Sequence, residues 1–362
     1  MAVVGKGEWD VTAVAPRFMA GDLRPIPCEA NPAEACRTVR VPAYLTGRIH
    51  LMNYGPQLRT VLADSWDIVH AWEEPYILAG AQIAGWTPPS AALVFATFQN
   101  IAKRYPPPFG WMERYAMRRA AGWVAFGRMV EAVHWDRAGY AGKPHRVIPV
   151  GVDAEAFRPD ATARAAIRAR LGWCSDGPPV VGYLGRFVPE KGVRLLTATL
   201  GQLRPAWRAL LVGGGPLERE LREWAANHGD RVRVITGVPH NAVPSYLNAM
   251  DVLAAPSQTT PTWKEQLGRM LIEAMACGVS VVGSDSGEIP FVIGDAGLVL
   301  PEADGRAWVE GLAALIDSPT RRAEFGKAGL ARAHEAFAWP VIARRHLDFF
   351  DELLDSPPRT TR

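Results

Sequence analysis

Between residues 179 and 300 the chain alternates short apolar runs rich in β-formers with stretches of helical length. The runs are Pro179–Gly185, Ala209–Gly213, Arg231–Thr236, Asp251–Ala255, Val279–Ser284 and Gly297–Leu300; the helical stretches are Gly192–Leu203, Leu217–His228, Val243–Met250 and Gln266–Ala276. Buried strands separated by helices of this length are the sequence form of a parallel sheet with helices on both faces. The first half repeats the pattern less regularly, with strands expected at Val11–Ala15, Thr38–Val41, Asp67–Ala71, Ala92–Thr97, Gly122–Phe126 and Arg146–Val150. The fold class expected is therefore α/β.

At 362 residues the chain is long enough for two domains. The segment Gly151–Pro159 leads into a charged helix and a turn over Gly172–Pro178, which places a boundary near residues 155–178. We expect two doubly wound, Rossmann-like domains facing across a cleft, over 1–160 and 175–335. A helix over 336–355 is expected to pack back toward the first, and the tail Ser356–Arg362 looks loose. Ligands of such sheets bind beyond the carboxyl ends of the strands, so function should gather in the loops that follow them.

Composition removes several classes. Hydrophobic residues at 48% and charged residues at 21% exclude wholesale disorder. The four cysteines, Cys28, Cys36, Cys174 and Cys277, form no CxxC pair, which argues against a disulfide scaffold or zinc ribbon and for a reducing compartment. The opening MAVVGKGEWD has no leader pattern and no run of about 18 apolar residues occurs, so a cytoplasmic protein is expected. A net charge of +3 is too small to suggest a nucleic-acid partner.

The densest constellation is TPTWKEQLGRMLIEAMACG, residues 260–278. Glu265 and Glu273 flank the start of an apolar helix, and eight helical residues rise about 12 Å. Carboxylates so spaced suit a ligand with sugar hydroxyls at both ends and phosphates between, since they accept paired bonds from vicinal hydroxyls. The same glutamates would equally serve as a cap and a solvated side chain. After the strand PVVGYLG come Gly185, Arg186, Glu190, Lys191 and Gly192. Two cations five residues apart can straddle a diphosphate, or stand solvated. Gly213–Pro216 has neither dinucleotide nor phosphate-loop spacing and reads as a tight strand-to-helix turn. No Asp-x-Asp pair is present to hold a metal, so a cation pair would have to do that work.

In order, VIPVGVDAEAFRP (147–159), GRFVPEKG (185–192), LVGGGPLERELRE (211–223), VPSYLNAMDVLAAPS (243–257), the Glu265–Glu273 segment and SDSGEIPFVI (284–293) resemble the family 4 retaining glycosyltransferases of the GT-B fold. The resemblance runs from about residue 9 to the C-terminus. It implies a metal-independent, cofactor-free hexosyltransferase in exopolysaccharide or envelope glycan synthesis. The donor would be a nucleoside-diphosphate sugar, the acceptor a saccharide or a polyprenyl-linked saccharide. Glu273 would hold the donor ribose and Glu265 the hexose, with Gln266 and Leu267 amides on its hydroxyls. Gly268 and Arg269 would offer amides to the phosphates, beside Gly185. Arg186 and Lys191 would neutralise the departing phosphate, and attack from the donor's own face would need no protein nucleophile.

The sequence departs from that family in two places. Members open with a strand, a glycine-rich loop and a helix ahead of the segment matched here by WDVTAVAPRF (9–18), where this chain has eight residues. Either the start lies further upstream or part of the site is lacking. Where members carry a histidine after the strand ALVFAT, this chain has Phe98, Gln99 and Asn100, and Gln99 or Asn100 could bond a sugar hydroxyl. HAWEEPY (70–76) supplies acceptor-side candidates His70, Glu73 and Glu74, though a solvated turn fits as well. Residues 103–119 carry five cations and one acid among four aromatics, a composition suited to peripheral contact with the inner face of a membrane or to an ordinary solvated helix. The rival reading is a non-catalytic nucleotide-sugar-binding or assembly subunit with a degenerate N-terminal domain.

Overall fold

A computed structural model of the chain describes residues 1–20, 26–28, 34–174 and 177–355. The tail 356–362 and residues 175–176 of the expected turn lie outside the described residues. The chain divides into two compact units, Met1–Pro149 with Ile342–Arg362, and Val150–Val341.

The second unit is a six-stranded parallel sheet. Its strands run in the order Val232–Thr236, Arg208–Gly214, Val180–Arg186, Val252–Ala255, Ser280–Ser284 and Gly297–Leu300. Alternate residues along these strands enter different cores. Val180, Leu210, Leu253 and Val281 join one, while Val181, Leu211, Val252 and Val282 join the other. Both faces are therefore covered, which is why the strands read as continuous apolar runs. The strand order reverses between Val180–Arg186 and Val252–Ala255, the switch point where open sheets of this kind leave a crevice.

The division falls at Pro149 and Val150 because the following segment packs into the second unit. Val152, Phe157, Ile167, Leu171 and Trp173 enter its core. Arg164 and Arg168, on the helix Ala161–Arg170, clasp Asp251 at 2.5 and 2.6 Å. Asp160 caps that helix by accepting from the Ala163 amide at 2.8 Å.

One expected helix moves. The stretch expected to coil from Gln266 does so only over Arg269–Ala276, because Gly268 sits at φ 76°, a left-handed conformation at the helix entry. Gln266 and Leu267 are therefore loop residues, and a helical rise does not measure the path from Glu265 to Glu273. The Gly213–Gly215 run is packed as a tight turn: a Cβ on Gly213 would lie 1.9 Å from the Gly185 carbonyl oxygen.

The first unit holds a four-stranded parallel sheet in the order His145–Val147, Gly122–Ala125, Ala92–Thr97, Ile68–Ala71. Thr12–Pro16 and Arg37–Val41 pair with each other in a separate two-stranded parallel sheet. The helix Trp339–Asp355 gives Ile342, Leu347, Phe349 and Phe350 to a core that includes Val94, Val124 and Ile148.

Candidate functional site

The two loops at the switch point are pressed together by backbone geometry. Gly192 has φ 68°, and a Cβ there would stand 1.7 Å from the Pro256 carbonyl oxygen, so no side chain fits. The Gln258 amide also donates to the Glu190 carbonyl at 2.8 Å. This brings Lys191, from the loop after Val180–Arg186, against the loop after Val252–Ala255.

There the Lys191 ammonium meets Glu265 Oε2 at 2.6 Å, and the Ser257 hydroxyl donates to the same oxygen at 2.7 Å. Glu265 is 5% exposed and Ser257 wholly buried. The Lys191 ammonium also lies 5.0 Å from the centre of the Trp263 ring, which a Thr260–Trp263 bridge presents. Ser257 is itself fixed, its carbonyl accepting from the Ser284 hydroxyl at 2.6 Å.

A third loop grips the glutamate from behind. The Glu288 amide donates to the Glu265 carbonyl at 3.1 Å, and a Cβ on Gly287 would come within 2.0 Å of that oxygen. Arg186 ends the first strand, with its carbonyl accepting from the Tyr183 hydroxyl at 2.6 Å. Burial, then the Glu265 charge, push the Tyr183 phenol upward, while Arg186 opposes them. Gly185, with φ 158°, precedes Arg186.

On the helix beyond Gly268, Glu273 is 6% exposed and its carboxylate meets the Arg269 guanidinium at 2.8 Å. Burial raises Glu273 to about 6, with Arg269 opposing the rise. Gln266 is exposed and Leu267 half-buried. The structure thus brings Lys191 and Glu265 into contact, and pairs Glu273 with Arg269 through the side chain. Ser257, Trp263, Gly287 and Glu288 are site neighbours to which sequence reasoning gave no role. SDSGEIPFVI did mark the Gly287 loop, whereas a serine after a strand is too common to stand out.

In the first unit the sequence candidates Glu73, Glu74, His70 and Gln99 each have a partner within the unit. The Tyr54 hydroxyl donates to Glu73 at 2.6 Å. Glu74 accepts from the Thr97 hydroxyl at 2.9 Å and from the Phe98 amide at 2.7 Å; burial raises it to about 7. His70 accepts from the Trp72 indole at 3.0 Å, its ring lies 5.1 Å from that of His346, and burial drives it well below its ordinary value. The Gln99 amide donates to the Ile101 carbonyl at 3.1 Å, and Asn100 is buried.

The family described as Glycosyl transferases group 1 matches residues 167–332, which contain every element of the switch-point site. The lipopolysaccharide core biosynthesis mannosyltransferase LpsB of Rhizobium meliloti is 32% identical over 255 residues, covering 66% of this chain and 71% of that protein. The chain belongs to the group 1 glycosyl transferases. A GDP-mannose-dependent monoacylated alpha-(1-6)-phosphatidylinositol monomannoside mannosyltransferase of Corynebacterium glutamicum is 33% identical over 219 residues, 59% of this chain. The match spans little more than half, 56%, of that relative's length. Among solved structures, sucrose-phosphate synthase from Thermosynechococcus elongatus superposes with a TM-score of 0.72 at 24% identity, over 97% of this chain and 90% of that one. That likeness speaks for the fold, the GT-B class of two Rossmann-like α/β domains, in this group 1 chain.

Proposed function

We propose that the chain is a retaining hexosyltransferase that needs no metal and moves a hexose from a nucleoside-diphosphate sugar to a saccharide or lipid-linked saccharide. The observation that carries this reading is the Lys191–Glu265–Ser257 cluster at the switch point of the six-stranded sheet. As the glycosidic bond breaks, negative charge builds on the departing phosphate. A cation already held in place stabilises that charge without reorganising. Lys191, fixed between a carboxylate and an aromatic face, meets that requirement, and Arg186 would share the load. Glu265 would meet the hexose hydroxyls and Glu273 the ribose diol, with the Gly268–Arg269 amides on the phosphates.

The names of the relatives narrow the substrates to be tried first. Those named GDP-mannose-dependent act on phosphatidylinositol mannosides, which makes GDP-mannose the first donor and a glycolipid the first acceptor. Exopolysaccharide or envelope glycan synthesis at the cytoplasmic face would be the setting. On the helix Phe109–Arg119 the exposed residues Trp111, Arg114, Tyr115 and Arg118 fall at helical spacing on one face, while Glu113 turns inward to Arg137 at 2.7 Å. That acid-free face suits an anionic lipid surface. No described helix is long and apolar enough to cross a membrane.

The test is a thermal-shift panel of nucleoside diphosphates and their sugars in the presence of a chelator, on the wild type and Glu273→Ala. It is followed by transfer assays with the stabilising donor. Stabilisation by one nucleotide family that vanishes in Glu273→Ala, with transfer to a glycan acceptor, supports the reading. Binding without turnover supports the rival, a nucleotide-sugar-binding subunit. No shift from a cooperatively melting protein overturns both.

A further inference from the structure

We propose that the Arg269 side chain is a positioning residue for the donor's nucleoside end, a strut that runs from Glu273 to His240 and holds the Glu273 carboxylate ionised and aimed. The proposal rests on the reading of Glu273 as the group that meets the donor ribose. Arg269 Nε meets Glu273 Oε1 at 2.8 Å, while Nη2 reaches His240 Nε2 at 3.4 Å. His240 lies in the turn His240–Ala242, in the loop after Val232–Thr236 at the carboxyl edge of the sheet, and its ring packs 5.6 Å from Phe157. One guanidinium therefore links a buried carboxylate to a loop residue that lies 29 positions before Arg269.

The chemistry explains why such a strut is needed. A carboxylate binds a vicinal diol best when ionised, because each hydroxyl then donates to a charged acceptor. Burial works against that and lifts Glu273 to about 6; Arg269 opposes the lift. Cys277, just past the end of this helix, also senses Glu273, and burial followed by the Glu273 charge pushes its thiol up to about 12. His240 faces the far end of Arg269, and burial followed by Arg269 lowers it, so it leaves the cation undisturbed at neutral pH. Among the described residues, no other element packed on this helix supplies a charge that shifts Glu273. The Arg269 side chain is 55% exposed, so its truncation removes the strut without opening the core.

The experiment is calorimetric titration of UDP and GDP from about pH 5.5 to about pH 9. The proteins are the wild type, Arg269→Ala, Arg269→Gln, Arg269→Lys and Glu273→Ala. For whichever nucleotide binds, wild-type affinity should fall as pH drops through about 6, and Glu273→Ala should show no measurable binding at any pH. In Arg269→Ala and Arg269→Gln the midpoint should move upward, giving about tenfold weaker binding at neutral pH that recovers in alkali. Arg269→Lys should restore most of it. An unmoved midpoint in both charge-free variants overturns the proposal, as does a weakening equal at every pH, which would mark a direct ligand contact. A wild type that binds neither nucleotide overturns the donor-site reading itself, and this proposal with it.

Discussion

The Lys191 ammonium and the Glu265 carboxylate each need the other, since both sit in a site where Glu265 is almost wholly removed from water. Lys191→Ala should therefore act twice. It should lower transfer on the order of 10²–10³-fold, the usual loss when one preorganised charge leaves a transition-state clamp. It should also lower the melting temperature, because breaking a buried ion pair costs about 3 kcal/mol or more. Initial rates and calorimetry on the same preparation check both; full activity with a lower melting point would sink the leaving-group role. Glu273 behaves in the opposite sense. Its folded value of about 6 lies above the unfolded carboxylate value, so its favourable contribution is present at low pH and lost as pH rises through about 6. Glu273→Gln should thus gain about 2 kcal/mol of stability at pH 8 and little at pH 5, while losing nucleotide binding. Equal stability of the two proteins at both pH values would show that the carboxylate carries no burial penalty.

At the level of elements, the loops decide where these charges stand, and Gly192 decides the loops. With φ 68° and a Cβ position 1.7 Å from the Pro256 carbonyl, Gly192→Ala must push the Lys191 loop off the Ser257 loop. Activity should fall at least as far as in Lys191→Ala, although no charge is lost; wild-type rates in Gly192→Ala would refute the contact. The helix Phe109–Arg119 gives a test of a different kind. Trp111 is 60% and Tyr115 47% exposed, beside Arg114 and Arg118. Sedimentation with vesicles containing phosphatidylglycerol should lose most bound protein on Trp111→Ala with Arg114→Ala and Arg118→Ala, and equal binding to neutral vesicles would exclude the surface. The six-stranded sheet was readable because its strands are local, apolar and punctuated by glycine. Lys191 and Glu265 drew attention as charges in the loops after Val180–Arg186 and Val252–Ala255, and their ion pair joins those loops. The helix entry at Arg269 was not readable, since Gln266 and Leu267 suit a helix and only the left-handed Gly268 stops it. Nor were the partners of Glu73 and Glu74: Tyr54 and the Phe98 amide lie 19 and 24 residues away, and pairing across that distance is set by packing, not by local pattern.

Across the whole molecule the two units carry different sets of displaced titrations, and acid should separate them. In the first unit, burial lowers His70, His134 and His346, His134 to about 4. A histidine held neutral lends stability that is present above its unfolded value, near pH 6.5, and lost as pH falls toward the folded one. Glu73 and Glu74 work against this, since burial raises both, Glu74 to about 7. Between about pH 6.5 and pH 4.5 the folded unit holds a proton on Glu74 that the unfolded chain lacks, and Glu73 is raised in the same sense, which opposes the histidine effect. Below about pH 4.5 the unfolded carboxyls protonate as well, and that opposition ends while His134, lowered to about 4, is still titrating. Among the described residues of the second unit one histidine is lowered, the exposed His240, and the main acid-sensitive group is Asp251. Burial alone would raise Asp251, but Arg164 and Arg168 hold it below its ordinary value, so its contribution fades only at still lower pH. Hydrogen exchange followed down an acid series should therefore open peptides from 1–149 before those from 150–341. Glu74→Gln should move the first opening toward pH 6 and leave the second in place. Simultaneous opening of both units, or a second unit that opens first, would contradict the proton balance argued from these residues.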